Sequence, residues 1–247
     1  MPELFSNTDD GRIITNTLVG FSNIRDADAG IVVTTGEVSS TNFTAVNKFG
    51  SRGGGNSFRI ERSFMYFDTS GITGTVTSAN FEIVGSSGDD GSIIAVKSNA
   101  FGGDGGTALS TADFDAMPGW TDGASAEGNV TKYSSPFEST SATWSTNGVN
   151  ILTGTSDLRS DMQNNNVVIV CFLDYTNDYL NVEPSSAGTT NLGARFFEAS
   201  NAGQRPRIDY VEAATGYTHS IMGVASANIG KVNALATANI GKINTLD

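Results

Sequence analysis

The chain has 247 residues, enough for one large β-sandwich or two small domains with a real core, and its 29 glycines against 5 prolines and 16% charged residues point to short strands joined by many turns. A net charge of −12 without any Lys/Arg cluster excludes a phosphate-backbone partner, and no apolar run approaches the roughly 18 residues needed to span a membrane. The opening residues show no basic segment followed by an apolar stretch, so no exported leader is expected.

In chain order, residues 12–19 and 31–35 read as strands divided by a polar turn at Asp26–Gly30. The clearest strand follows the glycine-rich loop at 51–56. Phe58, Ile60, Phe64 and Tyr66 share one parity, with Arg59, Glu61 and Ser63 on the other until Met65 and Phe67 make both faces apolar. Residues 76–84 return with Phe81 and Ile83 alternating, and 93–96 form another strand. Residues 102–135 are a long glycine-rich excursion with one helical turn at Ser110–Phe114; insertions of this length often carry function or decorate a surface.

Residues 143–145 and 149–152 read as short strands, and Ser156–Met162 as a helix capped by Ser156 and ended by Asn164–Asn166. Val167–Leu173 is a continuous apolar run suited to a central strand, with the lone Cys171 as a buried hydrophobe. Residues 179–182, 194–198 and 207–211 complete about ten strands with almost no helix, hence an all-β sandwich over residues 1–212.

Residues 213–247 form a tail in which Ala225–Leu235 is repeated by Ala236–Leu246 with eight of eleven positions identical. A short tandem repeat cannot bury its own apolar positions. Ile221, Val224, Ile229, Val232, Leu235, Ile240, Ile243 and Leu246 are therefore the expected assembly interface, with another copy in a homo-oligomer or with a neighbouring protein. An eleven-residue stripe favours a helix while the glycines and asparagines oppose it, so helical and extended forms both stay open.

Little in the body suggests catalysis: no Asp or Glu sits where a raised pKa is expected, and the lone His219 rules out histidine-cluster metal sites. No cofactor is expected beyond calcium, for which Asp89, Asp90, Asp174 and Asp178, with Asp113 and Asp115, supply loop oxygens of the kind a hard cation prefers. Trp120, Trp144, Tyr175 and Tyr179 are candidates to stack on sugar rings, against the plainer reading that aromatics fill a sandwich core.

Three stretches in order carry a resemblance. Arg62–Ile72 followed by Val76–Ile83, then Asn147–Leu152 with Ser156–Leu158 and Phe172–Tyr175, then Glu198–Ser200 with Arg205–Tyr210, resemble DNRLRE-type modules. The resemblance implies a jelly-roll β-sandwich related to carbohydrate-binding modules and found in cell-surface proteins and phage appendages. Ser220–Asn233 is similar to strings that end structural proteins of tailed phages, marine ones especially. Together these imply a non-enzymatic virion subunit, a capsid decoration, head fibre or tail-fibre component made in the host cytoplasm; the alternative is an adhesion module for host-surface glycans.

Overall fold

A computed structural model describes residues 2–15, 18–35, 41–50, 55–138, 144–195, 202–213, 231–232 and 235–236. In chain order the body runs β1 (Glu3–Phe5), β2 (Gly11–Ile14), β3 (Leu18–Val19), α1 (Phe21–Arg25), β4 (Val32–Thr35), β5 (Thr41–Phe49), β6 (Ser57–Asp68), β7 (Val76–Asp90) and β8 (Ser92–Lys97). It continues with β9 (Phe137–Glu138), β10 (Val149–Thr153), α2 (Ser156–Asn164), β11 (Val167–Asp174), β12 (Gly188–Ala194) and β13 (Arg207–Glu212). The fold is all-β. Every ladder is antiparallel, and the strands form one large curled sheet whose two limbs face each other as a sandwich.

The smaller limb has the order β1-β13-β7-β10, and β7 is long enough to leave it and pair with β12 in the larger limb. Alternation sets the inward face: Leu152, Phe81 and Ile208 stand in register across three strands. They meet Met65 and Phe67 of β6, Val168, Val170 and Phe172 of β11, and Leu192 of β12, all fully or almost fully buried. Burying each such side chain contributes about 1.5–3 kcal/mol.

The larger limb is covered on its other face as well. Phe58, Ile60 and Phe64 of β6, Ile94 and Val96 of β8 and Ile169, Cys171 and Leu173 of β11 form a second core. Its cover is α1, the 101–130 excursion and a single π-helical turn at Tyr175–Tyr179, which contribute Phe21, Ile24, Phe101, Phe114, Met117, Val130 and Tyr179. This explains why β6 and β11 are apolar on both parities.

Several sequence expectations change here. The excursion is core rather than surface decoration, its irregular backbone tied down by bonds such as Lys97 N–H to the Thr131 carbonyl and Tyr133 N–H to the Ala95 carbonyl. Residues 179–182 are not a strand, because the π turn ends there with Leu180 N–H bonded to the Tyr175 carbonyl. The cap of α2 is Thr155, one residue earlier than expected, its hydroxyl accepting from Leu158 N–H. Trp144 lies outside any strand, buried with its indole N–H donated to the Gly193 carbonyl, while Thr143 and residues 196–198 fall outside the described residues. Asp68 closes the turn after β6, accepting from Ser70 N–H and hydroxyl, which lowers its pKa.

Candidate functional site

Asp178 does something the sequence reading did not assign to it. Arg62 lies on the parity of Phe58, Ile60 and Phe64, so it points into the second core, and both it and Asp178 are 0% exposed. Its Nε and Nη2 donate to the two Asp178 carboxylate oxygens at 2.8 and 2.7 Å, Nη1 donates to the Phe114 carbonyl, and Nη2 also reaches the Arg25 carbonyl. Both oxygens of Asp178 are thus held by a guanidinium rather than open to a cation. Arg25, also fully buried, donates to the Asp178 carbonyl and to Asp26.

Asp174 begins the π turn, accepting from Asn177 N–H. Burial, helped by the charge of Asp178, pushes its carboxyl up to about 7, against hydrogen bonds from Asn177, Ser92 and Thr190 that favour the anion. Here the expectation that no carboxylate has a raised pKa is corrected: Asp174 closes the end of a central strand, where burial outweighs its hydrogen bonds. Asp115 is also raised, first by burial. Asp113 accepts from Ser110 in a capping box. The side chains of Asp89 and Asp90 lie outside the described residues, and among the described residues no three acidic, His or Cys groups gather in a way that could hold a metal.

Of the four aromatics proposed for glycans, Trp144 is buried in the first core, and Trp120, Tyr175 and Tyr179 pack with the second core over the larger limb, turned inward. The guanidinium carbons of Arg25 and Arg62 sit 4.2 and 4.3 Å from the Trp120 ring centroid. Tyr179 is fully buried, and Tyr175 stacks on it at 5.7 Å. Only Tyr175 and Trp120 keep partial exposure, and the ring of Trp120 is engaged by arginine.

A different place is open. β8 stops at Lys97, opposite Val170, while β11 continues back to Val167 along β6. This mismatch leaves a notch beside Val167 and Ile169, a cleft of about 560 Å³ walled by Lys97, Ser98, Gly103, Asp104, Tyr133 and Asn164–Asn166. Lys97 donates to Asp161 at 2.8 Å, and the Tyr133 hydroxyl donates to the same oxygen. Burial works against the charge of Asp161, but these bonds outweigh it and keep its carboxyl below the ordinary range.

The far wall is shaped by a run of left-handed backbone: Phe101 at φ 55°, Gly102 at 76°, Gly103 at 83° and Gly105 at 79°. For Phe101, held fully buried, that conformation costs of order 1–2 kcal/mol. A Cβ on Gly105 would lie 2.9 Å from the Tyr66 ring, so this position needs glycine for space as well as for φ. The sequence reading missed this cleft because its walls come from separate segments; the only local signal was the Asn164–Asn166 run, which it used as a helix stop.

Of the expected assembly residues, Val232 and Leu235 lie in described backbone. Lys231–Val232 (β14) pairs antiparallel with Leu235–Ala236 (β15), Val232 opposite Leu235, so the repeat is extended at this point. Ile221, Val224, Ile229, Ile240, Ile243, Leu246 and His219 fall outside the described residues. No helix among the described residues is long and apolar enough to cross a membrane.

In comparisons with known proteins, no family model and no curated protein matches the chain. The likeness to DNRLRE-type modules and to phage tail strings rests on the residues quoted for it.

Proposed function

We propose that this chain is a non-enzymatic structural subunit of a phage virion, a capsid decoration, head-fibre or tail-fibre component that assembles with copies of itself or with neighbouring virion proteins through its C-terminal repeat. The observation that carries the reading is the duplicated Ala-x-Ala-Asn-Ile-Gly-Lys-(Val/Ile)-Asn-x-Leu unit. Its aliphatic residues recur without enough neighbouring apolar sequence to enclose them, and each is worth about 1.5–3 kcal/mol once covered. The antiparallel bridge between β14 and β15 supports a tail that presents extended backbone to a partner. The body supports the same reading as a rigid carrier, since its buried arginines bond to carbonyls and carboxylates of neighbouring segments.

The test is the pair Ile229→Ser and Ile240→Ser. The double variant is expected to keep the wild-type melting transition while losing the oligomeric mass seen by light scattering and its place in assembled particles. Normal mass and normal incorporation would show that the body's faces, not the tail, are the anchor.

A further inference from the structure

We propose that the free edge of β10 pairs with β10 of a second copy of this chain, antiparallel and about a two-fold axis beside Asn150. The contact is separate from the C-terminal repeat, and either can fail alone.

β10 ends the smaller limb and is laddered to β7 on one side. The bonds at its two ends fix which residues face outward. Gly85 N–H donates to the Gly148 carbonyl and Gly154 N–H to the Ala79 carbonyl, so Gly148, Asn150, Leu152 and Gly154 turn their backbone groups toward β7. Val149, Ile151 and Thr153 turn theirs away. At Thr153 the outward carbonyl accepts from Ser135 N–H, which closes the edge there. Among the described residues nothing bonds to the outward N–H and C=O of Val149 and Ile151, and these two residues are 42% and 54% exposed.

This edge lacks the devices that keep strands apart. Exposed sheet edges are normally guarded by charges or proline, and β1, at the other edge of the same limb, has Pro2 and Glu3 at its start. No charged residue lies between 139 and 156. Glu82, across the ladder from Ile151, is neutralised by Arg207. The inner side is held firmly: the Asn150 amide accepts from Ser145 N–H and donates to the Ser145 and Ile83 carbonyls. The edge is therefore presented preformed and uncharged, which lowers the entropy lost on pairing.

A second copy fits because the free stretch is its own complement. With Asn150 opposite the partner's Asn150, the N–H and C=O of Val149 meet the C=O and N–H of the partner's Ile151, and Ile151 meets the partner's Val149 in the same way. Both aliphatic side chains stand on one face of β10, so each Ile151 packs on the partner's Val149. So short a pairing buries less than the ~1,600 Å² of a standard interface. It is weak between free chains and gains strength where copies are already held together.

The experiment uses the full chain in two variants at exposed positions, Val149→Cys and Ile151→Cys, the native Cys171 being buried. Under mild oxidation an equimolar mixture should give covalent dimer several-fold faster than either variant alone. Paired positions lie about 5.5 Å apart between Cα atoms, within disulfide reach, whereas like positions lie about 7–8 Å apart. The preference should persist, more slowly, at high protein concentration in the Ile229→Ser, Ile240→Ser background. In the unmodified chain, hydrogen exchange at the Val149 and Ile151 amides should slow as concentration rises, and Ile151→Lys should remove that slowing. The inference is overturned if the mixture cross-links no faster than the single variants, or if the preference disappears once the repeat residues are changed. It is equally overturned if exchange at both amides ignores concentration, or if the slowing survives Ile151→Lys.

Discussion

Arg62 and Asp178, 116 residues apart in sequence, meet as a two-pronged ion pair inside the second core. The pair joins β6 to the π turn, and through its carbonyl bonds Arg62 also holds α1 and the excursion at Phe114. Its guanidinium carbon lies 4.0 Å from the Phe114 ring centroid, so the charge is enclosed by aromatic faces as well as by its counter-ion. Three segments, the π turn, α1 and the excursion, are thus fixed to one strand by a single side chain.

Breaking that pair from one side is expected to be severe. Arg62→Met leaves Asp178 buried with only Arg25 near, its Nε 3.9 Å away, and should cost about 3–5 kcal/mol in chemical denaturation. Adding Asp178→Leu removes the stranded charge, so the double variant should be no less stable than Arg62→Met alone. Strictly additive losses in the double-mutant cycle would show that the two charges do not depend on each other.

Asp174 sets a pH dependence of the less usual sign. Its carboxyl is raised to about 7 in the folded chain, so between about pH 4 and 7 the native state holds a proton that the unfolded chain has released. The contribution is complete below about pH 4 and is lost as pH rises through 7, with an upper limit of ~4 kcal/mol. Asp174→Asn should therefore gain in melting temperature relative to wild type between pH 4.5 and 8. Asp161 and Asp68, both lowered, act in the opposite sense at lower pH in both proteins, so the difference between the two isolates Asp174. Parallel pH profiles would contradict this.

The sandwich was legible because alternation and apolar runs report burial directly: Val167–Leu173 is the strand between β6 and β8, and the double-faced pattern at Met65–Phe67 marks a strand with a core on each side. What covers the second face was not legible, since irregular segments bury side chains without any period. The π turn at Tyr175–Tyr179 and the five-residue α1 are too short to show one. The parity of Arg62 with Phe58, Ile60 and Phe64 was present in the sequence and did place a charge on an apolar face. Its partner was hidden because carboxylates in loops look alike until the chain folds.

The excursion should behave as core when tested as core. Phe114 is fully buried and packs beside the Arg62 guanidinium, although it lies in a glycine-rich segment with little regular structure. Phe114→Ala is expected to cost about 3–5 kcal/mol, the range for a buried aromatic. A loss under 1 kcal/mol, as at a surface loop, would mean that the outer face of the larger limb is stabilised without it.

The body should fold without the repeat, and the place to cut follows from its last bonds. The Glu212 carboxylate accepts from Thr73 and Gly74 N–H, and Ala213 N–H donates to the Thr75 carbonyl, so the end of β13 is tied into the sandwich up to residue 213. Among the described residues neither core draws on anything beyond Tyr210. A fragment of residues 1–213 should therefore be soluble and melt cooperatively within a few degrees of the full chain, whereas ending at Glu212 removes the bond to Thr75 and lowers the transition slightly. An aggregated 1–213 fragment with no transition would place part of the tail inside the body, and the repeat would then be a missing piece of the core rather than an anchor for a partner.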